Sequence, residues 1–347
     1  MKVLVIGGGG FVGSHVAEHY VKKGEEVAVF DNLSRAELLG REIKRPRYNW
    51  NYLKNSSNVE LIEGDIRNAV KVKSAAKGAD VIVHTAAQTA VTTSLKDPRT
   101  DFEVNALGTF NVLEAARKEG STVIFCSTNK VYGNNVNRIP VKEKESRYEF
   151  SDPKFKNGVP EDLSIDLCEH TPYGCSKLAA DLYVQDYAER GEIDAAVFRM
   201  SCIYGTRQFG VEDQGWVSWF TIATILGKPI TIYGDGKQVR DVLHVSDLVE
   251  AFDSFVRRRD KLHSEVFNIG GGVNNTLSLL ELLDLLEKET GKRSELKYSD
   301  WRPGDQKVYI SDISKAEKKL RWKPKVGPEK GIKNLVNWIK ENEDLSS

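Results

Sequence analysis

The sequence predicts an α/β fold built on a doubly wound parallel sheet with helices on both faces. Short apolar runs alternate with helical patterns through the first half of the chain, as expected for such a sheet. A glycine-rich segment directly after the first run is the second observation. The predicted strands are 3–6, 27–30, 59–62, 81–85, 122–126 and 195–200, and the clearest helices are 103–118 and 175–189. Such sheets bind ligands beyond the carboxyl ends of their strands, so functional residues are expected there.

The glycine-rich segment runs from Gly7 to Gly13, between the first predicted strand and a helix that ends near Lys23. Gly7 permits a tight turn, Gly10 lets the backbone approach a pyrophosphate, and Gly13 lets the helix pack closely on the strand. The first residues of the helix, Phe11 and Val12, offer free amide groups to phosphates. This order of strand, turn and helix predicts a Rossmann-type site for a dinucleotide.

Asp31 ends the second predicted strand, 18 residues past Gly13. A carboxylate at this position accepts hydrogen bonds from the adenosine ribose hydroxyls and repels a 2′-phosphate, so NAD is favoured over NADP. Asn32, Ser34 and Arg35 follow in the same turn and are predicted to line the cofactor site. The positive charge of Arg35 keeps NADP open as an alternative.

Tyr173 and Lys177 lie one turn apart on a predicted helix, and Thr128 ends the fifth predicted strand. A phenol has an ordinary pKa of about 10, so it is a poor base at neutral pH unless a nearby cation stabilises the phenolate. Lys177 is placed to provide that cation, and Thr128 to bond the same substrate hydroxyl. Taken alone, Tyr173 is better explained as a half-buried aromatic residue at the start of a helix. Together with a dinucleotide site, the three residues predict hydride chemistry on a hydroxyl group.

The strand and helix rhythm loosens after about Gly205. A helix at 216–226, a strand at 230–233 and a helix at 277–289 predict a smaller α/β cap that binds the substrate. We therefore expect a dinucleotide-binding domain at 1–204, to which 237–268 returns, and a mainly C-terminal substrate domain at 205–347. The polar stretch 134–169 has little periodicity and is predicted to be a long active-site loop.

Composition narrows the class of partner. The chain of 347 residues carries 50 basic and 50 acidic side chains, so nothing indicates a nucleic-acid or membrane surface, and a small-molecule ligand fits better. The four cysteines form no CxxC pair, which favours free thiols in a reducing compartment. His15 and His19 have the spacing of a metal pair but no evident third ligand, so no metal is expected. Without a signal peptide or an apolar run of about 18 residues, the sequence predicts a cytoplasmic protein.

The chain resembles the extended short-chain dehydrogenase/reductases, specifically the nucleotide-sugar epimerase and dehydratase family, over nearly its full length. In that family GxxGxxG binds NAD, YxxxK supplies the catalytic pair, and a Ser or Thr completes the triad. The resemblance carries these roles to Gly7, Gly10 and Gly13, to Tyr173 and Lys177, and to Thr128. It implies a nucleotide-diphosphate sugar as the substrate and a homo-oligomer formed through surface helices.

Further roles follow from the resemblance by position. Asp65 and Ile66 match the adenine contacts, and Asn105 matches the polar residue that supports the active-site helix. Residues of the wall behind the cofactor are Ala86, Ala87 and Gln88, and the residues that face the substrate are Gln88, Thr128, Asn129, Cys202, Arg240 and Arg302. The two arginines match the pair that grips the diphosphate, a task for which guanidinium groups are suited.

Within the family, Asn129 and Lys130 occupy the positions where 4,6-dehydratases carry an Asp-Glu pair, so dehydration is not supported. The string STNKVYG and several strings in predicted substrate loops, such as YGTRQFGVEDQGWVSWF, resemble the branch that epimerises CDP-linked sugars at C2. Cys202 departs from the Asn of galactose-type 4-epimerases. The resemblance therefore implies an NAD-dependent epimerase that forms a transient keto sugar.

Two alternatives stay open. One is a UDP-hexose 4-epimerase or a related reductase. The other is a noncatalytic NAD-sensing or scaffold protein on the same fold, which predicts the loss of Tyr173, Lys177 or the two arginines, whereas all of them are present.

Overall fold

The structure is a computed structural model that describes residues 1–35, 37, 47–56 and 58–346. The chain divides into two compact units. The first comprises Met1–Val131, Pro172–Arg199 and Val249–Phe267, and the second comprises Tyr132–Thr171, Met200–Leu248 and Asn268–Ser347. The domain boundaries given by the sequence remain a proposal. Of the helices in the described part of the chain, none is long and apolar enough to cross a membrane.

The strands are numbered along the chain. They are β1 (Lys2–Ile6), β2 (Glu26–Asp31), β3 (Val59–Glu63), β4 (Val81–His84), β5 (Thr122–Thr128), β6 (Val141–Glu143), β7 (Tyr148–Phe150), β8 (Ala195–Met200), β9 (Cys202–Tyr204), β10 (Ile230–Tyr233), β11 (Val239–His244), β12 (Ser264–Ile269), β13 (Thr276–Ser278), β14 (Leu296–Ser299) and β15 (Val308–Tyr309).

The helices are also numbered along the chain. They are α1 (Phe11–Lys22), α2 (Tyr48–Lys54), α3 (Ala69–Ala75), α4 (Val91–Lys96), α5 (Pro98–Phe102), α6 (Gly108–Glu119), α7 (Pro172–Glu189), α8 (Trp216–Leu226), α9 (Val245–Val256), α10 (Leu279–Thr290), α11 (Ser314–Leu320), α12 (Pro328–Glu341) and α13 (Glu343–Ser346). A π-helical turn covers Glu103–Leu107, and 3₁₀ turns cover Asn129–Arg138, Pro153–Phe155 and Arg259–Lys261.

Within the described residues, seven strands form the main sheet in the order β12, β8, β5, β4, β1, β2, β3. The pairings from β3 to β5 are parallel. The order reverses between β1 and β4, and this reversal is the switch point at which such sheets bind ligands. The predicted Rossmann-type doubly wound sheet is confirmed, and all six predicted strands are present. Sequence analysis missed β12 because its sequence, SEVFNI, mixes polar and apolar residues.

Helices cover the main sheet because its strands are apolar on both faces. Val3, Leu4, Val5 and Ile6 of β1 are all fully or almost fully buried, which explains the continuous apolar run in the sequence. The helix predicted at 103–118 is instead the π-helical turn followed by α6. The helix predicted at 175–189 begins three residues earlier, at Pro172, which places Tyr173 in its first turn.

The second unit is also α/β. Its central strand β11 pairs with β13, β15 and β9, while β10 pairs with β14. Its core joins α8, α10 and α12 through residues that include Phe220, Leu282 and Ile332. The helix predicted to begin at Leu277 begins at Leu279, because the Ser278 hydroxyl and the Glu281 side chain form a capping box there.

The prediction of an irregular loop at 134–169 is wrong for part of its length. Strands β6 and β7 form an antiparallel hairpin within it, and a 3₁₀ turn follows. Tyr148 of β7 is buried against Val239 and Val308, and its hydroxyl donates to Asp235 Oδ2 at 2.5 Å. Strands of three residues are too short for a period-two pattern to reveal, which explains the error.

Candidate active site

The turn after β1 is closely packed against the turn after β4. Gly7 adopts a φ of +85°, and a Cβ atom there would lie 2.4 Å from the backbone nitrogen of Ala86. A Cβ atom on Gly13 would lie 2.3 Å from the carbonyl oxygen of Gly7. Neither position accommodates a side chain, so α1 and the two turns come as close as backbone atoms allow.

The N-terminus of α1 begins directly after this turn. Gly10 is its N-cap residue, and no side chain caps this helix end. Phe11 and Val12 form the first turn, whose amide groups carry the positive end of the helix dipole. A helix end without a side-chain cap is suited to a pyrophosphate, so these residues fit a dinucleotide.

Asp31 is fixed beside the glycine turn by two backbone amides. Its Oδ2 accepts a hydrogen bond from the Gly9 amide at 2.9 Å, and its Oδ1 accepts one from the Leu33 amide at 2.7 Å. Burial raises the pKa of the Asp31 carboxyl, and these amides act in the opposite direction. In the following turn, the Ser34 hydroxyl donates to Asn32 Oδ1 at 2.8 Å. Burial lowers the pKa of the neighbouring Arg35 guanidinium to about 10.

The predicted adenine contacts follow β3. The Asp65 carboxylate receives hydrogen bonds from Arg67 Nε at 2.9 Å and from Asn32 Nδ2 at 3.1 Å. The Arg67 guanidinium lowers the pKa of Asp65 to about 2, so this carboxylate is ionised at neutral pH. Ile66 is buried and packs against Gly108, where a Cβ atom would lie 2.8 Å from the Ile66 side chain.

The three predicted catalytic residues lie in the first unit and are all buried. Thr128 ends β5, and its hydroxyl is hydrogen bonded to the Tyr173 phenol on the first turn of α7. The Lys177 ammonium donates to the Cys126 carbonyl at 2.7 Å and lies 4.1 Å from the ring centroid of Phe125. The structure therefore brings Thr128 and Tyr173 together and places Lys177 one turn away.

The electrostatics of this cluster differ from the expectation of a stabilised phenolate. Burial raises the pKa of the Tyr173 phenol to about 12, and the hydrogen bond from Thr128 acts in the opposite direction. Burial also lowers the pKa of Lys177 to about 8. Desolvation dominates because it disfavours the charged form of each group. The protein alone therefore keeps Tyr173 protonated at neutral pH.

A buried polar network lies behind the catalytic helix. Asn105, in the π-helical turn, donates from Nδ2 to the Gln88 carbonyl at 3.0 Å and to Ser176 Oγ at 3.1 Å. Ser176 also donates to the Asp101 carboxylate. Ser94 Oγ accepts from the Tyr173 amide at 3.1 Å and so substitutes for a cap at the start of α7. The predicted supporting position of Asn105 thus belongs to a larger network that spans three elements.

Gln88 belongs to the same network, and this argues against its predicted contact with the substrate. Its Nε2 donates to the Ala90 carbonyl at 2.9 Å and to Asp101 Oδ1 at 2.8 Å, while its Oε1 accepts from the Ala90 amide at 2.6 Å. The residue is 2% exposed. Because both amide protons already have internal partners, Gln88 is better explained as part of the wall behind the cofactor, together with Ala86 and Ala87 after β4.

Three predicted substrate residues lie in the second unit. Arg302 stacks 3.6 Å above the Tyr233 ring, and its guanidinium forms an ion pair with Asp213 at 3.2 Å. Arg240 lies on β11 and donates from NH1 to the Val239 carbonyl at 2.8 Å. Cys202, on the neighbouring strand β9, accepts a hydrogen bond from the Trp216 indole at 3.2 Å. Asn129, in the first unit, accepts from the Thr128 hydroxyl at 3.3 Å.

Sequence analysis missed the buried polar residues that surround the predicted catalytic ones. They are Ser94, Asp101, Ser127, Ser176, Asp181 and Arg199, all of them buried. Ser127, Ser176 and Asp181 had a weak local signal, since each lies within four positions of a predicted catalytic residue. The others are distant in sequence, and only the fold brings them to the site.

The turn shaped for a pyrophosphate follows β1, and Thr128, which is hydrogen bonded to the buried Tyr173, ends β5 of the same sheet. This arrangement is that of an enzyme that works with a dinucleotide. The family model of the NAD dependent epimerase/dehydratase family matches residues 3–270, and the chain belongs to that family.

The relatives agree with this assignment. The CDP-paratose 2-epimerase of Salmonella typhi is 41% identical, with 97% of this chain and 99% of that one covered. The UDP-glucuronate 4-epimerase of Thermodesulfobacterium geofontis is 31% identical, with 99% and 97% covered. The crystal structure of UDP-glucuronic acid 4-epimerase from Bacillus cereus, in complex with UDP-glucuronic acid and NAD, superposes with a TM-score of 0.81 at 29% identity, with 99% of this chain and 100% of that one covered. The chain is an NAD-dependent nucleotide-sugar epimerase, and its cofactor is NAD.

We predict that Asp31 makes the protein select NAD over NADP. The purified protein is expected to release NAD and not NADP when denatured, as measured by mass analysis of the nucleotide. Asp31→Asn removes the negative charge and keeps an acceptor oxygen for one of the two amides, so it should raise the affinity for NADP relative to NAD by about tenfold or more.

Glu63→Gln is the matched control, because Glu63 pairs with Asp31 in the sheet but is exposed. Its cofactor preference should equal that of the wild type. Release of mainly NADP, or an unchanged preference in Asp31→Asn, would contradict the role of Asp31.

Proposed function

We propose that the enzyme interconverts CDP-paratose and CDP-tyvelose by inverting C2 of the sugar through a transient keto sugar. The relative that is 41% identical over the whole chain supports this substrate. The loop strings STNKVYG and YGTRQFGVEDQGWVSWF, which sequence analysis singled out, resemble the same CDP-paratose 2-epimerases.

The identity of the two residues that follow Thr128 supports epimerisation over dehydration. Thr128 is followed by Asn129 and Lys130, and the Thr128 hydroxyl contacts the Asn129 side chain and the Lys130 amide. No carboxylate occupies these two positions, where removal of water would need one. Epimerisation by oxidation and return therefore fits the site better than dehydration.

In the proposed reaction, the Tyr173 phenolate takes the proton of the C2 hydroxyl while Thr128 bonds the same oxygen. Bound NAD supplies the positive charge and the acceptor that takes the C2 hydrogen with its electron pair and later returns it to the opposite face. The Lys177 ammonium adds positive charge one turn from Tyr173, and both charges counter the burial that raises the pKa of the Tyr173 phenol. Tyr173 then returns the proton, so the enzyme ends in its starting state.

The proposed cofactor contacts are the residues that sequence analysis assigned. They are Gly7, Gly10, Phe11, Val12, Gly13, Asp31, Asn32, Ser34, Arg35, Asp65, Ile66, Ala86, Ala87, Gln88, Asn105, Tyr173 and Lys177. Arg240 and Arg302 are proposed to hold the diphosphate while the keto sugar presents its other face. Stacking on Tyr233 fixes the plane of the Arg302 guanidinium, which suits bidentate binding of a phosphate.

A UDP-hexose 4-epimerase is the second candidate, because relatives that act on UDP-sugars match over the whole chain. Cys202 argues against a 4-epimerase, since this residue replaces the Asn of galactose-type 4-epimerases. Its sulfur already accepts a hydrogen bond from the Trp216 indole. A noncatalytic NAD-binding role is disfavoured because the buried triad is complete.

The solvent isotope test distinguishes these reactions. In deuterium oxide, the enzyme should convert CDP-paratose to CDP-tyvelose with no deuterium at C2, and C2-deuterated substrate should keep its label, because the same hydrogen leaves and returns. NMR spectroscopy and mass spectrometry of the product give the result. Stoichiometric solvent deuterium at C2 would exclude the proposed mechanism. Turnover of a UDP-hexose without turnover of either CDP-sugar would favour the second candidate.

Tyr173→Phe should lower kcat by about 10² to 10⁴-fold and leave NAD bound, since it removes the proton-transfer oxygen and little apolar contact. Tyr187→Phe is the matched control. It removes a hydroxyl from the same helix, where that group bonds Glu114 at 2.6 Å, and its kcat should equal that of the wild type. Near wild-type activity in Tyr173→Phe would remove the phenol from the mechanism.

We also propose that the enzyme is a homo-oligomer. Helices α5 to α7 of the first unit expose large apolar side chains, namely Phe102, Leu107, Phe110, Leu182 and Tyr183. The rings of Phe110 and Tyr183 are 5.7 Å apart, so α6 and α7 present one shared apolar face. A second copy of the chain would remove this face from water, which is favourable in proportion to the apolar area covered.

Light scattering coupled to size-exclusion chromatography should therefore give at least twice the mass of one chain. Phe110→Glu should dissociate the assembly, because it places a charge in the apolar face. The exposed Tyr298 lies on β14 in the second unit and not on α6 or α7, so Tyr298→Glu is the control and should keep the assembly. A monomeric wild type would contradict this proposal.

A further inference from the structure

Asp181 is the centre of a buried ion pair on the catalytic helix. Its carboxylate receives two hydrogen bonds from Arg199, from Nε at 3.0 Å and from NH2 at 3.1 Å. The Ser127 hydroxyl donates to the same carboxylate at 2.6 Å, and Gln185 Nε2 donates to it at 2.5 Å. Asp181 is 0% exposed and Arg199 is 4% exposed. Every oxygen of the carboxylate therefore has at least two donors.

The three partners of Asp181 come from α7, from β5 and from β8, and the first two of these elements carry the triad. Asp181 lies one turn beyond Lys177 on α7, and Lys177 lies one turn beyond Tyr173, so the three side chains share one face of the helix. Ser127 directly precedes Thr128 at the end of β5. Arg199 lies on β8, the strand next to β5 in the main sheet. The Ser127 hydrogen bond thus ties α7 to the strand end that carries Thr128, and the ion pair ties α7 to the neighbouring strand β8.

Stability is a poor explanation for such a pair. Removing two charges from water is unfavourable by several kcal/mol per ion, and apolar residues of similar size often stabilise a protein at least as well. A bidentate Arg and carboxylate pair does fix geometry, because its two parallel hydrogen bonds define both distance and orientation. The pair therefore sets the position of α7 along its own axis and its rotation relative to β8, the strand beside β5 in the main sheet.

We propose that Asp181, Arg199 and Ser127 are positioning residues for the reaction: they hold Tyr173 and Lys177 in register with Thr128. This inference rests on the proposed roles of the triad. A shift of about 1 Å in such groups lowers rates by about 10²-fold, so a fixed register has a direct effect on turnover.

Asp181 also has an electrostatic effect on the triad. Burial lowers the pKa of Lys177, and the charges of Cys126, Asp181 and Asp101 act against this. His84, whose burial keeps it neutral, also interacts with Lys177. Removal of the Asp181 charge should therefore lower the pKa of Lys177 further, so that Lys177 loses its proton at a lower pH.

The test compares Asp181→Asn and Ser127→Ala with the wild type. Asp181→Asn should lower kcat by about 10 to 10²-fold and leave KM and the NAD affinity, measured by fluorescence titration, within about twofold. The alkaline limb of its kcat against pH profile should move to lower pH. Ser127→Ala leaves the ion pair intact and no charge unpaired, and should lower kcat by about tenfold with an unchanged alkaline limb.

Asp186→Asn is the matched control on the same helix, where an exposed carboxylate pairs with Arg190 at 3.0 Å. It should match the wild type in kcat and in its pH profile. If Asp181→Asn does not fold, Ser127→Ala decides the question, and wild-type kcat in that variant overturns the proposal. A folded Asp181→Asn with wild-type kcat and pH profile overturns it as well.

The assays use whichever nucleotide sugar the wild type converts. A wild type that converts only UDP-hexoses would therefore contradict the proposed substrate without affecting the comparison between variants. Loss of activity in Asp181→Asn with full activity in Tyr173→Phe would instead contradict the triad on which the inference rests.

Discussion

The close approach of two backbone turns at the switch point of the main sheet is the constraint on which the site depends. The Ala86 amide donates to the Ile6 carbonyl at 3.0 Å, and the Thr85 hydroxyl donates to the same carbonyl at 2.9 Å. These bonds hold the turn after β4 against the turn after β1, with no room for a Cβ atom at Gly7. Because α1 starts from this packed turn, its N-terminus has a fixed position beyond the sheet. The orientation of the dinucleotide site, and of the residues arranged around it, follows from that position.

Burial has two opposing consequences at the catalytic cluster. It excludes water and fixes the side chains through hydrogen bonds that have no competing solvent partner. It also moves both pKa values away from those that the reaction needs, because it raises that of Tyr173 to about 12 and lowers that of Lys177 to about 8. A buried tyrosine can therefore act as a proton acceptor only if nearby positive charge lowers the pKa of its phenol during the reaction. A cofactor whose oxidised ring is cationic meets this requirement, which links the choice of NAD to the burial of the triad.

The sequence predicted the parts of the structure that depend on local physics. Alternating apolar runs indicated the six strands, and the glycine segment indicated the tight turn between β1 and α1, because local backbone conformation determines both. The hydrogen-bond network behind α7 was not predictable in this way. Asp101 and Ser176 are 75 positions apart, and their contact exists only once α5 and α7 pack together. The same reason explains why Gln88 was predicted to contact the substrate, since the sequence does not show that Asp101 and Ala90 satisfy its amide.

The triad does not by itself select the sugar carbon. In the proposed mechanism, a tyrosine that accepts a proton, with a threonine that bonds the same oxygen, treats any secondary hydroxyl presented to it in the same way. The carbon that reacts is therefore determined by how the nucleotide sugar is held, and the residues proposed to hold it lie in the second unit. There, the Trp216 indole donates a hydrogen bond to the Cys202 sulfur. The Arg302 guanidinium is held by its ion pair with Asp213 and by stacking on the Tyr233 ring. Two epimerases that share this family and mechanism but react at different sugar carbons are therefore expected to differ in the residues of this unit and not in the triad.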